Sequence, residues 1–109
     1  MAKFFQSETV RDEMEDIYDM QKELMDVIAK FPYMSDEAKF IHIETVKELL
    51  EKQQIMWTRV SLSDDPEAKK MKESIRKGSK EMGFGDADIN MIFKNMRYTL
   101  DAVQQSLRR

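Results

Sequence analysis

Residues 35–62 read SDEAKFIHIETVKELLEKQQIMWTRVSL, a run without proline or glycine. Apolar side chains recur along it every three or four residues, which is typical of an amphipathic helix. Ser35 is a suitable N-cap, and Asp36 and Glu37 put negative charge at the positive end of the helix dipole. We therefore predict a central helix over residues 36–62, with an apolar stripe broad enough to contact more than one neighbour.

A second helical pattern precedes the central helix. From Val10 to Phe31, the spacing alternates in steps of four and three with one polar member, Gln21, and this is a heptad seam. Pro32 ends the helix because it lacks an N–H and restricts the residue before it. We predict a helix over residues 8–31 that forms an antiparallel hairpin with the central helix. The seam packs either within this chain, as short connections favour, or against a second chain.

The segment after the central helix reads SDDPE, residues 63–67. Asp65 is placed as an N-cap with Pro66 at the first helical position, which is a favoured arrangement. The next helix, predicted over residues 66–82, has a narrow apolar face and an interior glycine, Gly78, which costs about 1 kcal/mol relative to alanine. We expect this helix to be the least stable of the chain.

A glycine corner, GFG at residues 83–85, separates the third helix from the fourth. Gly83 suits a left-handed C-terminal cap, and Asp86 is placed to cap a fourth helix over residues 87–107. The fold class predicted for residues 1–109 is all-α. We expect a single domain in which a long antiparallel helical hairpin and two further helices are arranged like a bundle.

The composition limits the kind of protein that this chain forms. It has 109 residues, of which 36% are charged, a formal net charge of −3 and no cysteine. It therefore carries no disulfide, no thiolate metal site and no thiol nucleophile. No apolar run reaches the length of a membrane span, and the N-terminus does not read as a signal peptide. We expect a soluble, cytoplasmic protein that does not bind membranes.

The sequence offers no set of residues for catalysis. His42 is the only histidine, and Lys39 stands where a helical metal site requires glutamate, so we interpret His42 as a packed or partly exposed side chain and predict no metal ion. No serine lies in a nucleophile elbow, and three glycines do not form a phosphate-binding loop. We predict that the protein is not an enzyme and uses no cofactor.

Charge is distributed unevenly between the helices. Residues 7–31 contain eight acidic and three basic side chains, whereas residues 66–82 contain six basic and three acidic ones. Exposed charged faces are usually solvated and add little stability, which is the simplest interpretation. The alternatives are attraction between these two helices or attraction of each to a partner.

Two kinds of residue are candidates for an interaction site. Trp57 and Tyr98 are large aromatic side chains with a polar group, the type that dominates interface energies. The cationic candidates, all from the third helix, are Lys69, Lys70, Arg76 and Lys77. We predict a non-catalytic protein–protein interaction module, a small adaptor or regulator, whose partner is another protein. The seams of the first and fourth helices also predict a homodimer.

The glycine corner permits a second interpretation, a helix–turn–helix regulatory protein that binds nucleic acid. The basic third helix would contact phosphates, and the fourth helix would enter a groove. Asp86 and Asp88 at the start of the fourth helix argue against this alternative because carboxylates repel phosphates. The side chains that would face the groove are Asn90, Lys94, Asn95 and Arg97.

Several segments together are similar to a known family. They are FFQSETV at residues 4–10, the central-helix segment at residues 39–52, the connection RVSLSDDPEA at residues 59–68, and the MGFG corner at residues 82–85. In these patterns the chain resembles a family of small cyanobacterial proteins classed only as a domain of unknown function. The resemblance covers nearly the whole chain and implies a single all-helical domain from a cyanobacterium or from a phage that infects one. It implies no activity and transfers no functional residue.

Overall fold

The computed structural model describes residues 4–85 and 88–108. Within them the protein is all-helical, with no strand, and the predicted all-α, bundle-like fold class is confirmed. Short turns of 3-10 helix lie before the first helix and in the hairpin connection, and a turn of π-helix follows the third helix. The four α-helices are α1 (Glu8–Ile28), α2 (Asp36–Leu62), α3 (Pro66–Ser79) and α4 (Ile89–Leu107).

Helix α2 is the centre of the fold and packs against each of the other three helices. Its bounds are those predicted from the sequence, and Ser35 caps it, with the hydroxyl accepting a hydrogen bond from the Ala38 N–H at 3.1 Å. Helices α1 and α2 form the antiparallel hairpin, because the beginning of α1 lies beside the end of α2. There the Arg59 Nε lies 2.8 Å from the Glu13 carboxylate.

A second ion pair joins the hairpin one turn further along. The Lys52 ammonium donates a hydrogen bond to the Asp16 carboxylate at 3.0 Å. This hydrogen bond, together with the negative charge of Asp16, raises the pKa of Lys52 above its ordinary value of 10.5. Both side chains remain in contact with solvent, so the pair aligns the two helices and adds little to stability.

The end of the first helix differs from the prediction. Helix α1 ends at Ile28 rather than at residue 31, and the chain continues as a 3-10 turn, Phe31–Tyr33. The reason is Pro32, whose ring clashes with the carbonyl four residues before it, which belongs to Ile28. The chain tightens to avoid the clash, and the Lys30 N–H donates to the Val27 carbonyl, three residues back.

The corner between α3 and α4 also differs. The α-helical part of α3 ends at Ser79 rather than at residue 82, and a wider π-helical turn, Lys80–Phe84, follows it. Gly83 adopts the left-handed conformation that the sequence predicts, with φ at 94°. Helix α4 begins at Ile89, and its cap is Asp88, which accepts a hydrogen bond from the Asn90 N–H at 3.0 Å. The predicted cap, Asp86, lies outside the described residues.

The core is small and lies on one side of α2. Its most buried large side chain is Val60, which is 1% exposed. Val60 forms a cluster with Val10 and Met56, and the aromatic residues before α1 and Met71 of α3 pack against this cluster. The cap of α3 reinforces this end of the molecule, since the Asp65 carboxylate accepts hydrogen bonds from the N–H groups of Glu67 and Phe4.

A buried polar cluster attaches α4 to α2 at the opposite end. Gln104 is 5% exposed, and its amide nitrogen donates to the Phe40 carbonyl at 3.2 Å and to the Glu44 carboxylate at 2.6 Å. Its amide oxygen accepts from the Lys47 ammonium at 3.0 Å, and Lys47 also pairs with Asp101. Since the end of α4 lies beside the beginning of α2, these helices are antiparallel.

Candidate functional site

An apolar groove runs between α1 and α4, with α2 as its floor. Helices α1 and α4 are both antiparallel to α2 and lie on either side of it, and α3 closes one end of the space between them. The groove contains a cavity of about 500 Å³ at this closed end. Its walls include Met14 and Tyr18 of α1, Gln53 and Trp57 of α2, Met71 and Ile75 of α3, and Ile89 and Phe93 of α4.

The open end of the groove is flanked by exposed apolar side chains. Met25 and Ile28 lie seven residues after Tyr18 and Gln21, two residues that line the groove, so they share the same side of α1. Met25 is 74% exposed and Ile28 is 63% exposed. We call the surface formed by these α1 residues and by the exposed Met96 and Val103 of α4 the apolar face.

The outer side of α3 is a basic surface. Ala68 is completely buried against the core, whereas all four cationic candidates are exposed to solvent. Arg76 and Glu73 approach each other to 3.9 Å, which is a weak pair between exposed groups. The structure therefore brings together four of the residues singled out in the sequence: Lys69, Lys70, Arg76 and Lys77.

A solvent-open cleft of about 890 Å³ lies beside this basic surface, between α3 and the beginning of α4. Arg76 and Lys77 line its rim, and Trp57 and Ile89 form an apolar part of its wall. The carboxylates of Glu73 and Asp88 also line it, so its charge is mixed. We call this feature the basic cleft; it combines cations at the rim with an apolar floor.

The two aromatic candidates occupy different environments. Trp57 was predicted as an interface anchor, but the structure leaves it only 7% exposed, because α3 and α4 both pack over that part of α2. Its ring lines both the apolar groove and the basic cleft. Tyr98 is 66% exposed and lies on the opposite side of α4 from Met96 and Leu100, away from the groove. The structure therefore does not join these two aromatic residues in one site.

The residues proposed for a nucleic-acid groove are exposed but do not form one surface. Asn90, Lys94 and Arg97 share a side of α4, whereas Asn95 lies about a quarter turn further round. The Asp88 carboxylate also occupies the beginning of α4 as its cap. That position, at the helix N-terminus, is where a phosphate group is otherwise bound.

The described residues contain no cluster of three or more histidine and carboxylate side chains arranged to hold a metal ion. His42 is half-buried, and its ring centre lies 5.4 Å from that of Phe31. Packing between helices thus accounts for its position. In the part of the chain that the structure describes, every helix is either too short or too polar to cross a lipid bilayer.

Two features of these surfaces were absent from the sequence-based prediction. The first is the groove, which exists only once α1 and α4 lie on either side of α2. The second is the buried side chain of Gln104. The sequence does indicate it, because Gln104 lies four residues after Leu100 and three before Leu107 and so occupies a position in the apolar stripe of α4. A polar residue at a core position requires partners, and here α2 provides them.

Comparison with known proteins identifies a family but no characterised relative. Residues 2–107 match the model of a protein family described as a domain of unknown function (DUF1825). No curated protein matches the chain, and no solved structure does either. The match confirms the resemblance to an uncharacterised family that the sequence patterns indicate.

Proposed function

We propose that this chain, which belongs to the DUF1825 family of unknown function, is a non-catalytic protein–protein interaction module. It is a small adaptor or regulator in the cytoplasm of a cyanobacterium or of a cell infected by a cyanobacterial phage. The observation that supports this proposal most directly is the basic surface of α3 beside a cleft with an apolar floor.

The chemistry of the basic cleft favours an acidic protein segment as the partner. Cations at the rim, such as Arg76 and Lys77, attract carboxylates from a distance and increase the rate of association. Trp57 and Ile89 form the apolar part of the wall, but they are only 7% and 8% exposed, so they add a small apolar contact. Most of the attraction comes from the cations, and arginine is among the residues that most often dominate protein interfaces.

Nucleic acid is the competing partner, because the five basic residues of α3 also suit phosphate groups. The carboxylates of Glu73 and Asp88 in the same cleft repel phosphate groups and the carboxylates of a protein partner alike, so they do not separate the two classes of partner. The two classes of partner differ in their salt dependence. Phosphate contacts release counterions and weaken steeply with added salt, whereas an apolar protein interface weakens much less.

The test is a pull-down with the tagged, full-length protein from the cells that produce it, with nuclease treatment and a salt series. The charge-reversal variant K69E/K77E changes the basic surface, and K22E/K30E, with the same change in net charge on exposed lysines elsewhere, is the matched control. We expect a stoichiometric protein that survives nuclease and binds K69E/K77E at least about tenfold more weakly, or about 1.4 kcal/mol, while it still binds K22E/K30E.

Two outcomes would contradict the proposal. Loss of every partner after nuclease treatment, with steep salt dependence, would assign the basic surface to nucleic acid. Equal retention of the partner by both charge-reversal variants would show that the basic surface does not bind it.

A further inference from the structure

We propose that the apolar face binds the same face of a second copy of this chain, in a two-fold symmetric, antiparallel dimer. This surface is distinct from the basic cleft, so the inference goes beyond the proposed function. The heptad seams of the sequence predict a homodimer, and the structure provides a surface and an orientation for it.

The protein exposes more surface than a compact monomer of its size. The chain exposes 8233 Å². A compact monomer of 13.0 kDa exposes about 6,300 Å². The excess is about 1,900 Å², and a stable interface of ordinary size requires only about 800 Å² from each partner. The radius of gyration agrees, because it is 16.0 Å, against about 13 Å for a compact domain of this length.

Part of the exposed apolar surface follows the groove between α1 and α4. Met25 and Ile28 are exposed on the side of α1 that lines the groove. Met96 and Val103 are also exposed, and their spacing puts them on the same side of α4 as Ile89, which lines the groove. Contiguous apolar patches of this kind mark interaction sites in proteins. A two-fold axis through the patch places the patch of one copy against the same patch of the other copy, so both sides of the interface consist of the same residues.

The position of α3 favours an antiparallel orientation of the two copies. Helix α3 closes one end of the groove and carries the basic surface there. A parallel dimer would place the α3 helices of the two copies beside each other, and each of these helices carries five basic residues, which would repel those of the other copy. An antiparallel dimer brings the two open ends together and places the two α3 helices at opposite ends of the assembly.

The first experiment measures the oligomeric state of the purified full-length protein by sedimentation equilibrium. The variants M25E and I28E change side chains that are largely exposed in one copy, so folding should be retained, as circular dichroism would verify. Each residue occurs twice in a two-fold interface, and each substitution should raise the dimer dissociation constant at least about 100-fold. The matched controls Y98E and M91E, on exposed residues of α4 outside the apolar face, should leave it unchanged.

The second experiment determines the orientation. The chain has no cysteine, so K77C places a single spin label on α3 of each copy. In the antiparallel dimer the distance between the two labels should be comparable with, or longer than, the 52 Å long axis of the protein. A distance well below half that length would overturn the antiparallel arrangement.

A wild-type protein that remains monomeric at every concentration tested would overturn the proposal, as would a dimer that dissociates in Y98E but not in M25E. Neither result bears on the proposed function, which is tested at the basic cleft. M25E keeps the basic surface intact, so it should still bind the partner retained in the pull-down.

Discussion

Gln104 should be the polar residue whose replacement most weakens the attachment of α4 to α2. Its amide group makes hydrogen bonds to the Phe40 carbonyl, the Glu44 carboxylate and the Lys47 ammonium, and it is almost completely buried. The variant Q104L keeps a similar volume and removes all three hydrogen bonds. The matched control is Q105L, at the exposed neighbouring position.

The expected loss of stability in Q104L depends on whether each hydrogen-bond partner of Gln104 finds a replacement. Glu44 is exposed and Lys47 keeps its ion pair with Asp101, so these two groups recover part of the loss in solvent. A hydrogen bond contributes about 0.5–1.5 kcal/mol when neutral and about 1.5–3 kcal/mol when one partner is charged. We therefore expect Q104L to lower the free energy of unfolding by about 2 kcal/mol, and Q105L to change it by less than about 0.5 kcal/mol.

Urea unfolding at neutral pH, followed by circular dichroism, measures both variants against the wild type. A third variant, Q104E, separates hydrogen bonding from packing. Its carboxylate would lie beside that of Glu44, and the two negative charges would repel each other at neutral pH. Protonation at lower pH restores a donor, so Q104E should regain stability relative to Q104L as the pH falls. A Q104L variant as stable as Q105L would refute the role of the polar cluster.

Three further predictions concern local features. G78A should stabilise the protein by about 0.4–1 kcal/mol, because a methyl group at this helical position contacts nothing within 4 Å, whereas G83A should destabilise it, because φ is 94° there; thermal unfolding compares the pair. D65A should cost about 1–2 kcal/mol through loss of the α3 cap, while D64A at the exposed neighbour should be nearly neutral in the same assay. The stability difference between the wild type and K52M should be small, because the pair is exposed to solvent, and should be fully present below pH 10.5. It should decrease as the pH rises further through the raised pKa of Lys52, because only the protonated ammonium pairs with Asp16; urea unfolding from neutral pH to above that pKa tests this, and a difference that does not change with pH would contradict it.

The parts of the fold that depend on neighbouring residues were predictable from the sequence. Helix α2 has its cap at Ser35 and no breaker before its end, and the structure gives it the predicted bounds. The N-cap at Asp65 and the left-handed glycine at Gly83 are also local features, and both are confirmed. In each case the residues that determine the feature are close together in the sequence, so the feature can be predicted without knowledge of the tertiary structure.

The ends of helices were less predictable because two local preferences compete there. Phe31 continues the apolar seam, but the ring of Pro32 acts on the carbonyl of Ile28 and ends α1 a turn earlier. At the end of α3, the left-handed glycine is accommodated by a wider turn that starts at Lys80. A pattern of apolar residues indicates where a side chain packs, and it does not show how the backbone closes the last turn.

The candidate site depended on the arrangement of helices in space. The sequence identified the cationic residues of α3, which the structure places together, since a single helix positions them all. Trp57 was singled out for its side chain alone, and only the packing of α3 and α4 over α2 shows that it is buried. The apolar groove is formed by three helices together. In the sequence of each single helix, the one indication of it is an apolar stripe too broad to be covered by one neighbouring helix.

Stability and self-association should be coupled in a protein of this shape. Among the described residues, only nine apolar side chains form the buried core, whereas Met25 and Ile28 lie outside it. A partner that binds the folded chain and not the unfolded chain stabilises it by mass action, and this holds when the partner is a second copy. The thermal midpoint of the wild type should therefore rise with protein concentration. In M25E it should stay at the value of the dilute wild type, because the substitution removes the interface and leaves the core unchanged. A wild-type midpoint that is independent of concentration would show that the apolar face makes no contribution to stability through self-association.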